Sequence, residues 1–240
     1  MAMTDTQTAA PAAPATASAQ LSMPLGMFVF TLLYGGMTVL AGVLAYKQVQ
    51  LWPTQLAVES GIFAFLLLVV ISSTLSQLYG RQRAQSIVWW GFLPLLIASV
   101  LMQLVLNLPA SPEMATGRAE DLAAFEQVHS TVWRVWAAGP AAYIVSLLLN
   151  VWIFDRLKGQ GESGTLGLMV RGAIASALSQ AIDSVIFIFL AFYGLFPIMN
   201  LMIGQVLAKV VLSIVLVPLL ITLGVKAARW LDARGAEKQA

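Results

Sequence analysis

Ser176, Ser179, Gln180, Asp183 and Phe187 fall inside one long apolar run, Thr165 to Tyr193. Counted as a helix at 100° per residue, they lie within about 80° of one another. The polar groups therefore share one stripe, and the rest of the circumference is Ala, Ile, Leu, Val and Phe. The run is long enough to cross a bilayer. A carboxylate within it costs a few kcal/mol unless it has a partner, a water-filled cavity or a function. The chemistry this stripe offers is hydrogen bonding and charge toward a polar guest rather than covalent catalysis.

A second stripe lies farther along. Gln205, Lys209 and Ser213 are spaced i, i+4 and i+8, which puts them on one helix face. Asp183 precedes Tyr193 by ten residues and Lys209 follows Ile198 by eleven. At 1.5 Å per residue, both lie about 15–16 Å from the turn around Pro197. Two antiparallel neighbours joined by that turn bring Asp183 and Lys209 to matching depth. One reading is a structural ion pair holding two helices. The other places the pair in or beside a polar cavity, and Ser176, Ser179, Gln180 and Gln205 favour it, because a simple pair needs no further hydrogen-bonding groups on the same faces.

The remaining intramembrane charges are Glu59, Arg134 and Arg171. Glu59 and Arg134 are expected near the outer ends of their spans, where they pair or Arg134 snorkels to the surface. Arg171 points away from the Asp183 stripe, and snorkelling suits it. Asn150, beside Ser146, adds an uncharged polar group to the inner half of the fourth span. Ser72, Ser73, Ser76 and Gln77 cluster at the inner end of the second, a weak signal because membrane helices tolerate small hydroxyls. Pro94, Pro140 and Pro218 are candidate kinks. The chain has no cysteine and one histidine, His129, which is read as a headgroup-level residue. That composition leaves no thiolate or histidine-rich metal centre and little to run an enzymatic reaction, so no catalytic residue, metal or cofactor is expected.

These side chains need elements to position them. Of the 240 residues, 59% are hydrophobic and 10% charged, against about 25% charged in soluble domains. The fold class is all-α: a polytopic membrane protein with six spans, approximately Pro24–Tyr46, Pro53–Leu78, Ser86–Leu106, Ser130–Phe154, Leu166–Tyr193 and Ile198–Val225. Residues 1–22, rich in Ala, Pro, Thr and Ser, are expected to be a disordered tail without the basic and apolar segments of a signal peptide. Residues 23–230 form the transmembrane domain and 231–240 a cytoplasmic tail. The long connection Asn107–His129 is acidic, and its second half is expected to form an amphipathic helix along the interface running into the fourth span, with Trp133 and Trp136 at headgroup depth.

With both termini cytoplasmic, inside segments hold Arg81, Arg83, Arg156, Lys158, Lys226, Arg229, Arg234 and Lys238, and outside loops only Lys47 and Arg118. That is a positive-inside bias. No basic cluster suggests nucleic acid as a partner. The bilayer and a small molecule are the expected partners, and homo-oligomerisation is left open.

The second half resembles the queuosine-precursor transporters, also described as the vitamin-uptake-transporter family. The resemblance rests on Arg134; Ser146 to Asn150, then Phe154, Arg156 and Lys158; Arg171 followed by Ser176, Gln180, Asp183-Ser184 and Phe187; Ala191-Phe192 and Gly194; and Lys209 with Pro218. In the first half, Leu78-Tyr79-Gly80-Arg81, with Arg83 and Ala84, is similar to the family's Tyr-Gly-basic turn. Ser73, Gln77 and Asn150 stand where family members often carry acids, and Leu66 lies near a proline motif that is missing here.

The resemblance implies uptake of a 7-deazaguanine base, such as 7-cyano-7-deazaguanine or its aminomethyl analogue, through the bacterial inner membrane. It also implies a bundle similar to the substrate-binding subunits of energy-coupling-factor vitamin importers. The implied substrate-binding residues are Arg134, Asn150, Ser176, Gln180, Asp183, Phe187, Gln205 and Lys209. A carboxylate such as Asp183 suits the N–H donors of a guanine-like edge, Gln and Arg its carbonyl, and Phe187 its ring face. Two other readings stand beside this one: a substrate-capturing subunit that needs an ATP-driven partner, and a scaffold whose charges only orient its helices.

Overall fold

The computed structural model describes residues 23–156 and 165–237. The expected tail, residues 1–22, lies outside the described residues. The described residues form eight helices and one small hairpin: α1 (Leu25–Leu44), β1 (Gln48–Gln50), β2 (Ala57–Glu59), α2 (Gly61–Tyr79), α3 (Arg81–Trp90), α4 (Phe92–Leu106), α5 (Pro112–Gly117), α6 (Ala119–Arg156), α7 (Thr165–Phe192) and α8 (Met199–Glu237). Backbone N–H and C=O groups in lipid must be satisfied within their own segment, which selects helices for these apolar runs.

Among the described residues, five stretches are long and apolar enough to cross a membrane: Leu25–Leu44, Gly61–Tyr79, Arg81–Leu106, Ile174–Phe192 and Met199–Glu237. Exposed Leu32, Leu96, Val100 and Ile214 face outward from them, as lipid-facing side chains do. The protein is an all-α polytopic membrane protein. The remaining expected stretch, Ser130–Phe154, lies within α6, and the amphipathic segment before it runs into the same helix without a break.

One expectation is corrected. The apolar reading began the second span at Pro53, but α2 starts at Gly61 and the preceding residues form the hairpin. Its strands pair antiparallel with Gln48 opposite Glu59 and Gln50 opposite Ala57. Glu59 therefore sits on β2, outside the helix. The third helical run is interrupted at Gly91 between α3 and α4, in keeping with the candidate kink at Pro94, which has no N–H to donate and whose ring crowds the carbonyl four residues back, at Trp90. Trp136 is buried, packing with Leu95 and Val132, whereas Trp133 is exposed.

The bundle has a termini end and a hairpin end. At the termini end, Tyr34, Leu75, Ala84 and Ala228 join α1, α2, α3 and α8 in one core cluster. Asp232 pins that end: one oxygen accepts the Gly26 backbone N–H at 2.7 Å and the other the Tyr79 hydroxyl at 2.8 Å. Residues 231–237 thus continue α8 as helix. At the hairpin end, Val135, Ala138, Ile188, Phe192 and Leu201 join α6, α7 and α8.

Gly204 explains how the hairpin reaches the bundle. Any Cβ there would overlap the Ala57 carbonyl oxygen, so only glycine lets β2 lie directly on α8. Gly61 does the same for α1 and α2, where a Cβ would overlap the Ala41 carbonyl oxygen.

Candidate substrate-binding site

Lys209 Nζ donates to Asp183 Oδ2 at 2.6 Å, and both residues are buried, at 4% and 7% exposure. The two helix stripes therefore face each other at the depth their spacing predicts. The stripes match on the next turn as well: Ser213 Oγ donates to Gln180 Oε1 at 2.9 Å, and Gln180 Nε2 donates to Ser176 Oγ at 3.1 Å. Ser179 Oγ donates to the Ser176 carbonyl at 3.0 Å. Lys209 Nζ also stands 4.2 Å from the centroid of the Phe65 ring, a cation–π contact favoured where the ammonium is desolvated.

Gln205 departs from the expected pairing. It faces β2 rather than α7: its Nε2 donates to Glu59 Oε1 at 2.5 Å, and its own Oε1 accepts the Glu59 backbone N–H at 3.2 Å. Glu59 is thus held one helical turn from the Asp183–Lys209 pair, and it does not pair with Arg134.

Asp183 borders open space on two sides, Lys209 on one. A cavity of about 170 Å³ is lined by Asp183, Lys209, Glu59, Phe65, Phe187 and Trp136, with Tyr34, Thr38 and Tyr143 adding hydroxyls. A second, of about 190 Å³, is lined by Ser146, Ser176, Ser179, Gln180 and Asp183. Phe65, Val69, Tyr143 and Asp183 stand in both walls. Pro140 and Gly139 on α6 border the first, aromatic chamber, where a proline and a side-chain-free residue leave room.

Two residues that line the first cavity each carry a polar atom buried without a hydrogen bond: Glu59 Oε2 and Trp136 Nε1. Burial pushes the Glu59 carboxyl up from an ordinary 4.5 to about 7, against the pull of Lys209, Gln205 and the backbone N–H groups of Gly61 and Ile62. Those N–H groups favour the ionised form, but Oε2 completes no hydrogen bond with them.

Of the residues named from sequence, Asp183, Phe187 and Lys209 line the first cavity and Ser176 and Gln180 the second. Gln205 stands behind Glu59. Arg134 lines neither cavity. Its guanidinium donates to the carbonyls of Leu190 and Tyr193 at 3.2 and 2.9 Å, so it caps the end of α7, where a cation also meets the negative end of the helix dipole. Gly194, with φ of 84°, closes that helix. The side chains of Asn150 and Arg171 lie outside the described residues. His129 contacts the Phe125 carbonyl and stacks on its ring, and lines neither cavity. Glu59, Trp136, Phe65 and Tyr143 were missed as site residues. The helical spacing of Val132 and Trp136 placed both on one face of α6, which was the available signal for Trp136.

The chain matches the family model described as "Putative vitamin uptake transporter" over residues 59–223. It is also 29% identical over 198 residues to a Bacillus subtilis (strain 168) protein named "Probable queuosine precursor transporter", covering 81% of each chain. No solved structure matches it. The matched region begins at Glu59 and holds both polar stripes, the whole lining of the second cavity and that of the first apart from its α1 residues, and on it the chain belongs to the vitamin uptake transporter family of multi-pass membrane proteins.

Proposed function

We propose that this protein takes up a 7-deazaguanine precursor of queuosine, such as 7-cyano-7-deazaguanine or its aminomethyl analogue, across the bacterial inner membrane. In this reading six spans form a bundle similar to the substrate-binding subunits of energy-coupling-factor importers. Both termini are cytoplasmic, and the base sits in the chamber beside Asp183 and Lys209. The observation that carries the reading is an ion pair standing in the wall of an aromatic-lined cavity rather than in a dry seam. A cavity of about 150 Å³ holds benzene, so about 170 Å³ accommodates a small fused heterocycle once side chains adjust.

The chemistry of the walls supports a flat polar guest. Phe65 and Phe187 offer ring faces, and Asp183, Lys209 and the tyrosine hydroxyls offer polar contacts. Such a guest needs its donors and acceptors met, because an unpaired buried polar group costs ~1–3 kcal/mol. Gln180 with Ser176 and Ser213, Gln205, and by sequence Asn150, complete the polar surroundings. A scaffold whose charges only orient helices has no use for this space. The relative's name supports the substrate class.

The test is ligand-induced thermal stabilisation of purified protein. A deazaguanine at 100 times its Kd is expected to add ~2.7 kcal/mol to apparent stability, and riboflavin, biotin and thiamine nothing. Stabilisation by a vitamin but by no deazapurine would overturn the substrate assignment.

A further inference from the structure

Asp183 was the natural sequence candidate for the acceptor of a guanine-like edge, but its Oδ2 is engaged by Lys209 at 2.6 Å. Glu59 is differently placed. One oxygen is held by Gln205 at 2.5 Å, while the other is buried without a hydrogen bond on a residue that lines the same cavity. Glu59 is 4% exposed and Trp136 5%, so neither orphan atom is met by bulk water.

The two orphans belong to residues that line one cavity and lie near the end of α1. A Cβ on Gly42 would overlap Trp136 Nε1, and a Cβ on Gly61 would overlap the neighbouring Ala41 carbonyl oxygen and crowd Glu59 Oε2. Both atoms therefore flank the Ala41–Gly42 turn of α1. An acceptor and a donor left unsatisfied cost free energy in the empty site, and both recover it if a bound ligand presents donors to the one and an acceptor to the other.

We propose that Glu59, with Trp136 beside it, is the specificity-determining group of this site. The Glu59 carboxylate accepts the ring N–H and exocyclic amino donors of an aminopyrimidinone edge, and Trp136 Nε1–H donates to the carbonyl next to them. Gln205 is the positioning residue. It grips the Glu59 side chain and backbone together, so that Oε1 is occupied and Oε2 is left for the ligand. Gly204 makes the grip reachable by letting β2 rest on α8. Lys209 and Asp183 on α8 and α7 provide the neighbouring charge. This inference rests on the substrate reading above and names the residues that enforce it.

The experiment compares 7-deazaguanine with 7-deazahypoxanthine, which lacks only the exocyclic amino group, by titration calorimetry on the purified full chain. The wild type is expected to prefer the amino-bearing base by at least ~10-fold, the worth of one charge-assisted hydrogen bond. Glu59→Gln keeps a partner for Gln205 and is expected to bring the two bases within ~3-fold, about 0.6 kcal/mol. Trp136→Phe keeps the ring, removes the donor, and is expected to weaken both bases while leaving their ratio unchanged. A wild type that binds both bases equally overturns the inference without any variant. So does a Glu59→Gln protein that retains the preference. A wild type that binds no deazapurine at all sinks the substrate reading itself, and the inference with it.

Discussion

Gln205 grips Glu59 twice, through the side-chain carboxyl at 2.5 Å and the backbone N–H at 3.2 Å. The contact bridges 146 residues of sequence and ties the hairpin before α2 to the first turns of α8. It fixes the depth at which Glu59 enters the bundle. The Asp183–Lys209 pair lies one α8 turn away, because Gln205 and Lys209 are four residues apart. Two carboxyl groups and one ammonium are thus arranged along a single cavity wall.

The grip depends on Gly204. Gly204→Ala places a methyl group against the Ala57 carbonyl, and the hairpin must lift. Overpacking of this kind costs ~1–3 kcal/mol. The expected outcome is a lower melting temperature together with weakened ligand binding. A variant with unchanged melting and unchanged affinity would show that β2 does not need the close approach.

The buried pair predicts a rescue of stability without a rescue of function. Removing one partner of a buried ion pair costs ~3–5 kcal/mol, while replacing both with apolar residues of similar size is often neutral. Asp183→Asn and Lys209→Met alone are therefore expected to be strongly destabilised. The double variant Asp183→Leu with Lys209→Met is expected to melt near the wild type yet fail to transport. Transport by that double variant would make the pair purely structural.

Much of this arrangement is legible in the chain before any coordinates. Gln180 and Asp183 on one run, and Lys209 and Ser213 on the next, have helical spacing and a tight turn at Pro197 between them. Antiparallel packing then leaves little choice about who meets whom. The hairpin was not legible for a physical reason. Its strands are three residues each, and Ala57-Val58 continues the apolar run of α2, so hydrophobicity alone extends the helix through it. With Glu59 misplaced onto a helix, its partner on α8 could not be found. Headgroup depth is the preference of tryptophan, but it does not say which way the ring turns; Trp136 turns inward onto Leu95 and Val132, which depth alone does not reveal.

The raised Glu59 carboxyl, on β2 outside the spans, predicts a pH dependence with a definite sign. Its folded value of about 7 lies above the ordinary 4.5, so the folded state holds the proton more tightly. That contribution is fully present below about 4.5 and is lost as pH rises through about 7. Melting of the ligand-free protein is expected to fall across this window, and Glu59→Gln is expected to flatten the slope. Lys209, facing Glu59 from α8, and Asp183, paired with it, moderate the fall. An identical slope in wild type and variant would assign the titration to another group.

Arg134 gives a contrasting expectation. It holds the carbonyls of Leu190 and Tyr193 and lines neither cavity. Arg134→Gln is expected to lower stability by ~0.3–1 kcal/mol, the usual worth of a cation at a helix end, with ligand selectivity unchanged in calorimetry. A changed ratio between amino-bearing and amino-lacking bases would place the guanidinium in the site.

The most direct measurement is uptake of radiolabelled 7-cyano-7-deazaguanine by bacterial cells that lack their own transporter and express this chain. The account predicts saturable uptake that excess unlabelled 7-deazaguanine suppresses and that Glu59→Gln reduces at wild-type membrane levels. No uptake above empty cells, by protein shown to be folded in the membrane, with or without co-expressed transport ATPases, would contradict it.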